Sequence, residues 1–347
     1  MVLSIIPLTE NYQPKDVLCR DEQLIKIYKV FNDFNEYGVS SNCIILGLPG
    51  NGKTVAINKV KSDFNSSHIY ISCSIKNNSN KVLNNVYDNF RVDKYRISKD
   101  NILELIINKL KSNRKILIID ELNKILDPEN LFNYLNTIYR STQVPIILIS
   151  NLPHIFEFMP EDCRTTLLFD KIIFQQYSAE ELKKIVLDRI QYLNLSFEIP
   201  DNSLNQLCAI GARENGNARL LFSALQKCIL SRDFSEEIIN NIWLDNTKEF
   251  YNINYNKLSK TRKLALQIIV ECYVKKIPIS HHMLKVRLDV SGARVSQLLS
   301  SLAEEKFILL AEDMQSNRIG PRFRVPYFES EEKMLIFKGL LEEEFNH

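Results

Sequence analysis

The sequence contains no long hydrophobic run, although 45% of its 347 residues are hydrophobic and 25% are charged. Because it has no stretch of 18 apolar residues, the sequence predicts no transmembrane helix and no membrane partner. The first residues also lack the basic segment and the apolar core of a secretion signal. We therefore expect a protein of ordinary soluble composition with two or three domains, cytoplasmic, or nuclear if the source is eukaryotic.

Cysteine pairs are also absent. The seven cysteines are scattered, odd in number and contain no C-x-x-C pair. This spacing favours reduced and mostly buried thiols over a zinc site or a disulfide framework. No internal repeat is visible either.

A net charge close to zero hides an uneven distribution. The chain carries 44 Lys and Arg against 42 Asp and Glu, a formal net charge of +2. Residues 256–328 hold 13 Lys or Arg against 6 Asp or Glu, whereas residues 329–347 hold 2 against 6. The total charge is therefore uninformative about nucleic acid, but its distribution predicts a basic module followed by an acidic tail.

A glycine-rich segment directly follows the apolar run at residues 43–46 and fills the template G-x-x-x-x-G-K-[ST]. Its residues are Gly47, Leu48, Pro49, Gly50, Asn51, Gly52, Lys53 and Thr54, and Val55 opens a helical pattern. A strand that leads through such a loop into a helix N-terminus forms a cradle for phosphate. We expect Lys53 to reach the β- and γ-phosphates of ATP or ADP and Thr54 to bind Mg²⁺.

Polar residues follow two further apolar runs. Asp120 and Glu121 come after residues 116–119, and Asn151 follows the run that starts at residue 146. Because ligands of open α/β sheets bind at the carboxyl ends of the strands, these side chains should gather beside Gly47. Asp120 would then order the water shell of Mg²⁺, Glu121 would polarise the attacking water, and Asn151 would hold that water or the γ-phosphate. The alternatives are an acidic helix cap and an ordinary turn asparagine.

Two arginines are candidates for contacts with the γ-phosphate. Arg219 lies on the first turn of a predicted helix, where it would sense the γ-phosphate if that helical region folds over the nucleotide. Arg164 precedes the last predicted strand, the place of an arginine finger that reaches the ATP of a neighbouring subunit. An exposed helix arginine and a solvated loop arginine are the respective alternatives.

The periodicity of apolar residues changes twice along the chain. Up to residue 177, short apolar runs alternate with helical patterns, which predicts a parallel sheet with helices on both faces. The predicted strands are 43–46, 68–72, 116–119, 146–149 and 172–174. A capping box of Ser178 and Glu181 then opens an all-helical region, with further helices near 201–213, 218–231 and 235–246. The predicted domains are residues 1–177, 178–250 and 251–347.

The third domain has the element order of a winged helix. Helices are predicted near 261–275, 280–288 and 291–306, and short strands near 308–311 and 322–325. The third helix would enter the major groove of DNA, with Val295, Leu298, Leu299 and Leu302 packed inward. The expected DNA contacts are Arg294 and Gln297 at base edges, Ser300 at phosphate or base, and Arg318, Arg322 and Arg324 at phosphates or the minor groove. A protein-interaction module is the alternative.

Together these residues resemble the origin-recognition and cell-division-control initiator family of AAA+ ATPases, in its compact archaeal form. The matching segments are residues 18–24 (LCRDEQL), 118–122 (IIDEL), 149–151 (ISN), 173–177 (IFQQY) and 216–219 (GNAR). The resemblance implies an α/β fold: an AAA+ P-loop NTPase domain, a small all-helical lid domain and a C-terminal winged-helix domain. The family's initiator-specific insertion falls near residues 74–91, which are rich in asparagine here.

The family's activity gives the leading hypothesis for function. The resemblance implies a nucleoid-associated replication initiator that binds double-stranded origin DNA and hydrolyses ATP slowly as a switch. Its implied partners are the replicative helicase and homologous or paralogous initiator subunits. Two alternatives remain: a transcription regulator with an AAA+ core, and an ATPase helper of a mobile element.

Overall fold

The structure is a computed structural model of the 347-residue chain. It describes residues 5–64, 67–73, 78–90, 99–151, 153–193, 195–214, 216–304, 307–312, 324–328 and 334–338. The chain divides into two compact units, Met1–Ile239 and Asn240–His347.

A sheet of five parallel strands forms the centre of the first unit. The strands are β1 (Cys43–Leu46), β2 (His68–Ser72), β3 (Ile116–Asp120), β4 (Ile146–Ser150) and β5 (Asp170–Ile173). Their order across the sheet is β2-β3-β4-β1-β5. Every residue of β1, β3 and β4 is buried, as expected for parallel strands covered on both faces. The chain leaves these three central strands at one edge of the sheet, which brings the segments after Leu46, Asp120 and Ser150 together.

Helices cover the sheet and continue beyond it. In chain order they are α1 (Asp21–Tyr37), α2 (Lys53–Asp63), α3 (Ser79–Asp88), α4 (Lys99–Ser112), α5 (Pro128–Thr142), α6 (Glu161–Leu167), α7 (Ala179–Ile190), α8 (Asp201–Arg213), α9 (Ala218–Ser231) and α10 (Glu236–Lys257). None of the helices in the described parts of the chain is long and apolar enough to span a lipid bilayer.

The predicted elements match closely, and three of them differ most in their bounds; one of these, the last strand of the chain, ends at Tyr327 rather than at residue 325. Strand β5 starts at Asp170 rather than at residue 172, because the backbone N–H of Asp170 donates to the carbonyl of Asn42 (3.0 Å) beside β1. Helix α10 extends to Lys257, well past the predicted end at residue 246. The extension has a physical reason: Tyr251 and Tyr255 bury their rings in the core of the second unit.

Two local predictions are confirmed. Ser178 and Glu181 form the capping box of α7: the Ser178 hydroxyl accepts from the Glu181 backbone (3.2 Å), and the Glu181 carboxylate accepts from the Ser178 backbone (2.8 Å). None of the seven cysteines, which all lie in described residues, forms a disulfide, and all except Cys19 are buried. Of the segment 74–91, residues 78–90 are described and contain α3, whereas residues 74–77 and 91 lie outside the described residues.

The second unit contains three further helices and an antiparallel strand pair. These are α11 (Lys260–Val274), α12 (His281–Leu288), α13 (Gly292–Glu304), β6 (Leu309–Glu312) and β7 (Arg324–Tyr327). The inward face predicted for α13 is confirmed, because its four apolar residues are buried: Val295, Leu298, Leu299 and Leu302. This order of elements is the one that the sequence predicts; the winged helix and the three domain boundaries stay predictions.

Candidate nucleotide site and candidate DNA contacts

A cavity of about 350 Å³ lies in the first unit, at the carboxyl edge of the sheet. The glycine-rich loop, the ends of β3 and β4, helices α7 and α9, and the segment before α1 all contribute to its lining. The predicted site residues that line it are Pro49, Gly50, Gly52, Lys53, Thr54, Val55, Asp120, Glu121, Asn151 and Arg219. The structure thus brings together the phosphate loop, both carboxylates and one of the two candidate arginines.

The loop adopts a backbone conformation that requires glycine. Gly50 and Gly52 have φ values of +84° and +87°, which L-residues rarely adopt. A Cβ atom on Gly52 would lie 2.5 Å from the Tyr177 hydroxyl, and one on Gly50 would collide with the side chain of Asn217. The loop is therefore packed tightly where α2 begins. The backbone N–H groups of the loop and the dipole of α2 favour an anion at this point.

Lys53 is buried and lies across its own loop. Its Nζ donates to the carbonyl oxygens of Gly47 (2.6 Å) and Leu48 (2.8 Å). Burial lowers the pKa of Lys53 from 10.5 to about 8, and the charge of Asp120 opposes this shift. Desolvation destabilises the charged form of Lys53, and a phosphate placed beside the ammonium would stabilise that form.

Three predicted loop residues, Gly47, Leu48 and Asn51, are not in the lining of the cavity. Asn51 is buried and is held by contacts with other segments. Its side-chain N–H donates to the Phe174 carbonyl (3.1 Å), and its own carbonyl accepts from Arg20 Nε (3.1 Å). Arg20 also donates to the Gln175 carbonyl (2.7 Å), and its guanidinium lies 3.6 Å from the ring centre of Tyr177. Asn51 and Arg20 therefore fix the loop to the segment after β5. The sequence analysis assigned no role to Arg20.

The hydroxyl and carboxylate expected for Mg²⁺ face each other. Thr54 Oγ1 lies 3.4 Å from Asp120 Oδ2, and Asp120 Oδ1 accepts from the backbone N–H of Glu121 (2.7 Å). Hard oxygen donors of this kind suit Mg²⁺, which takes few protein ligands beside water and phosphate oxygens. Within the described ranges, no group of three or more His, Cys, Asp or Glu side chains could hold a metal ion. The two side chains therefore fit a magnesium ion that is bound mainly through a nucleotide.

Glu121 is held in a strained conformation. Its φ of +58° lies in the left-handed region, which non-glycine residues adopt uncommonly. One carboxylate oxygen pairs with Lys124 Nζ (2.7 Å). The other, Oε2, is buried with no hydrogen-bond partner in the described part of the chain. Glu121 lines the cavity, and its Oε2 keeps acceptor capacity that none of the described residues uses.

Three predicted residues remain: Asn151 and Arg219 line the cavity, and Arg164 does not. Asn151 lines the cavity, and its backbone N–H donates to Asn123 Oδ1 (3.4 Å). Arg219 also lines the cavity, with its side chain 52% exposed and its Nε 3.9 Å from Glu10 Oε1. Arg164 is exposed, lies outside this lining, and donates to the carbonyls of Met159 (3.0 Å) and Phe156 (2.8 Å). Its role as a finger stays a prediction.

The N-terminal segment and the helices after β5 form a second end of the cavity, which the sequence analysis missed. The guanidinium of Arg189, on α7, lies 4.5 Å from the ring centre of Tyr12 and 5.5 Å from that of Phe222. Burial lowers the pKa of Arg189. Aromatic faces and a cation that are separate from the phosphate loop suit a planar nucleotide base.

The pKa of Lys53 predicts a pH dependence of nucleotide binding. Phosphate charge raises that pKa in the complex, so binding takes up a proton wherever Lys53 is neutral in the free protein. ATP affinity should therefore be nearly constant below pH 7 and fall above pH 8, by up to about tenfold per pH unit. Isothermal titration between pH 7 and 9.5 checks this. In a Lys53→Arg control the charge persists, so a matching decline there would contradict the assignment.

The candidate DNA contacts are only partly described. On α13, Arg294 and Gln297 are exposed, and Arg294 Nη1 donates to Gln297 Oε1 (3.2 Å). Ser300 is partly buried on the same helix. Arg324 begins β7 but its side chain is outside the description, and Arg318 and Arg322 lie outside the described residues. The structure thus brings together the pair predicted to read bases.

The strand order, with a phosphate loop between β1 and α2, is that of an AAA+ P-loop fold. The model of the AAA domain family matches residues 39–159. The resemblance to the origin-recognition and cell-division-control initiators is confirmed by curated and solved relatives. The chain is 26% identical over 272 residues to the ORC1-type DNA replication protein of Picrophilus torridus, an alignment that covers 73% of this chain and 65% of that protein.

Another curated relative and two solved structures are also similar to this chain. An ORC1-type DNA replication protein 1 of Archaeoglobus fulgidus is 27% identical over 239 residues, covering 63% of this chain and 58% of that protein. The matches therefore span about three fifths of the curated relatives' length. The Aeropyrum pernix ORC1 protein in complex with DNA has a TM-score of 0.72, with 20% identity and coverage of 98% and 96% of the two chains. Cdc6p from Pyrobaculum aerophilum has a TM-score of 0.62, with 15% identity and coverage of 99% and 100%.

Proposed function

We propose that this protein is an ATP-dependent DNA replication initiator. It binds double-stranded origin DNA through its second unit and its AAA+ module, hydrolyses ATP slowly as a switch, and helps to load the replicative helicase. The observation that carries the proposal is the convergence of Lys53, Thr54, Asp120 and Glu121 on one cavity. The similarity to ORC1-type DNA replication proteins supports the assignment to replication.

The predicted site residues that line the cavity have separate parts in the proposed hydrolysis. Lys53 and the loop N–H groups hold the β- and γ-phosphates. Thr54 and Asp120 hold Mg²⁺, which when bound neutralises phosphate charge. Glu121 accepts a proton from the attacking water through its carboxylate. Asn151 orients that water or the γ-phosphate.

Arg219 is the residue that we expect to distinguish bound ATP from bound ADP. It lies on α9 and is close enough to Lys53 to lower the pKa of that lysine. A γ-phosphate between the two cations would relieve their repulsion, and ADP would do so less well. The position of α9 would therefore depend on the nucleotide. Arg164 is proposed to reach the nucleotide of a neighbouring homologous or paralogous subunit.

The DNA part of the proposal depends on charge and on α13. The ORC1 protein of Aeropyrum pernix, which the chain resembles in fold, was solved in complex with DNA. Residues 256–328 are strongly basic, and counterion release from phosphates favours DNA on such a surface. Arg294 and Gln297 add side chains suited to the edges of guanine and adenine.

Replacing Arg294 by alanine tests the DNA part. Loss of a guanidinium that reads a base should cost about 1–3 kcal/mol at the specific site and relax sequence preference there. Lys285→Ala, which removes one positive charge from α12, should weaken specific and scrambled duplexes alike. Fluorescence anisotropy on both duplexes, at several salt concentrations, separates the two behaviours. If Arg294→Ala and Gln297→Ala both leave specific affinity unchanged, α13 is not the DNA-reading helix.

A further inference from the structure

A tyrosine outside every predicted motif bonds directly to the candidate magnesium ligand. The hydroxyl of Tyr70, on β2, donates to Asp120 Oδ2 (2.6 Å). Parallel pairing sets Tyr70 opposite Ile118 and Ser72 opposite Asp120. Side chains two residues apart on a strand share a face, so the long phenol reaches its diagonal neighbour across the two strands.

Helix α2 covers the same face of the sheet and contacts the same pair. Thr54 and Lys61 are seven residues apart, about two helical turns, and so lie on one side of α2. Thr54 Oγ1 lies 3.4 Å from Asp120 Oδ2, and Lys61 Nζ lies 3.4 Å from the ring centre of Tyr70. The phenol is thus held between a cation on its face and a carboxylate at its hydroxyl.

The carboxylate of Asp120 accepts from three donors, two at short distance and the Thr54 hydroxyl at 3.4 Å. The backbone N–H of Glu121 holds Oδ1 (2.7 Å) and the phenol of Tyr70 holds Oδ2 (2.6 Å). Without the phenol, Oδ2 would lose its short hydrogen bond and keep the Thr54 hydroxyl at 3.4 Å, so the carboxylate could rotate away from Thr54.

We propose that Tyr70 is a positioning residue for magnesium: its hydroxyl fixes Asp120 Oδ2 toward Thr54, so that these two oxygens can bind one Mg²⁺ together. The inference rests on the proposed function, because it assumes that Mg²⁺ binds here with ATP. Donors that hold a metal-ligating carboxylate typically contribute tenfold to hundredfold in metal affinity. Tyr70 should therefore affect the metal-dependent part of ATP binding and leave the metal-free part alone.

The test is Tyr70→Phe in the full chain, with ATP affinity measured by isothermal titration in EDTA and across a Mg²⁺ series. The expected result is a tenfold or greater rise in the half-saturating Mg²⁺ concentration, with affinity in EDTA within twofold of wild type. Tyr28→Phe is a matched control, because Tyr28 donates to the Asp63 carboxylate away from the cavity. It should leave both quantities unchanged.

Different results would refute the positioning role of Tyr70 and the proposed function. A Tyr70→Phe protein with wild-type Mg²⁺ dependence would overturn the positioning role. Equal losses in EDTA and in Mg²⁺ would also overturn it, because they would indicate a packing role for the ring. Wild-type protein that binds no ATP in either condition would instead refute the proposed function.

Discussion

ATP binding should be abolished in Lys53→Ala, with affinity at least about a hundredfold lower than in the wild type. The ammonium donates to the carbonyl oxygens of Gly47 and Leu48 and so lies against the phosphate loop. Charge-assisted hydrogen bonds to phosphate are among the strongest in proteins. Removal of Lys53 leaves the β- and γ-phosphates facing only backbone donors, with no positive charge from the loop.

Filter binding with labelled ATP measures this loss. Lys59→Ala is the matched control: Lys59 lies on α2 as Lys53 does, but its ammonium is partly exposed and pairs with Asp63 (3.4 Å). The control should bind ATP like the wild type. A Lys53→Ala protein within threefold of wild-type affinity would show that nucleotide does not bind at this loop.

Glu121→Gln should bind ATP normally and lose turnover by a factor of about 10²–10⁴, the usual contribution of a general base. The amide has the size of the carboxylate but cannot accept a proton from water. Its Oε1 can still accept from Lys124, so the loop after β3 should keep its conformation.

Phosphate release, measured together with ATP affinity, separates these two effects. Glu129→Gln is a suitable control, because Glu129 is an exposed acid on the first turn of α5. It should leave turnover unchanged. Wild-type turnover in Glu121→Gln would show that Glu121 is not the general base and that another group accepts the proton.

Local signals explain why the phosphate end of the site could be predicted. Strands β1, β3 and β4 are buried on both faces, so each reads as an unbroken apolar run whose end is visible in the sequence. The residues just past those ends are the ones that meet at the sheet edge. Gly47 was identified from the glycine-rich template, and Asp120 and Asn151 from their places at strand ends beside that loop.

The rest of the site depends on contacts between distant segments. Arg20 bonds to a carbonyl 31 residues away, and Tyr70 to a carboxylate 50 residues away. Tyr70 lies on a strand whose side chains are alternately buried and partly exposed, so it reads as an ordinary strand residue. No periodicity marks such pairs, because tertiary packing brings them together. The full length of α10 was missed for the same reason.

The alternatives considered from the sequence predict different behaviour. A transcription regulator would bind its site without ATP turnover or a helicase partner. A helper of a mobile element would bind DNA without sequence preference. The initiator hypothesis requires the nucleotide at Lys53 to change the affinity for a specific duplex, as linkage between two sites demands.

The most direct test is therefore the affinity of the full chain for duplex DNA, measured by anisotropy with ATP, with ADP and with no nucleotide. The ligands are a duplex selected by binding from the DNA that surrounds the gene and a scrambled version of it. The account predicts that wild-type affinity for the specific duplex differs by about tenfold or more between ATP and ADP. Lys53→Ala should show one affinity in all three conditions. Wild-type affinity that is identical in all three, or equal for specific and scrambled duplexes, would contradict the central claim.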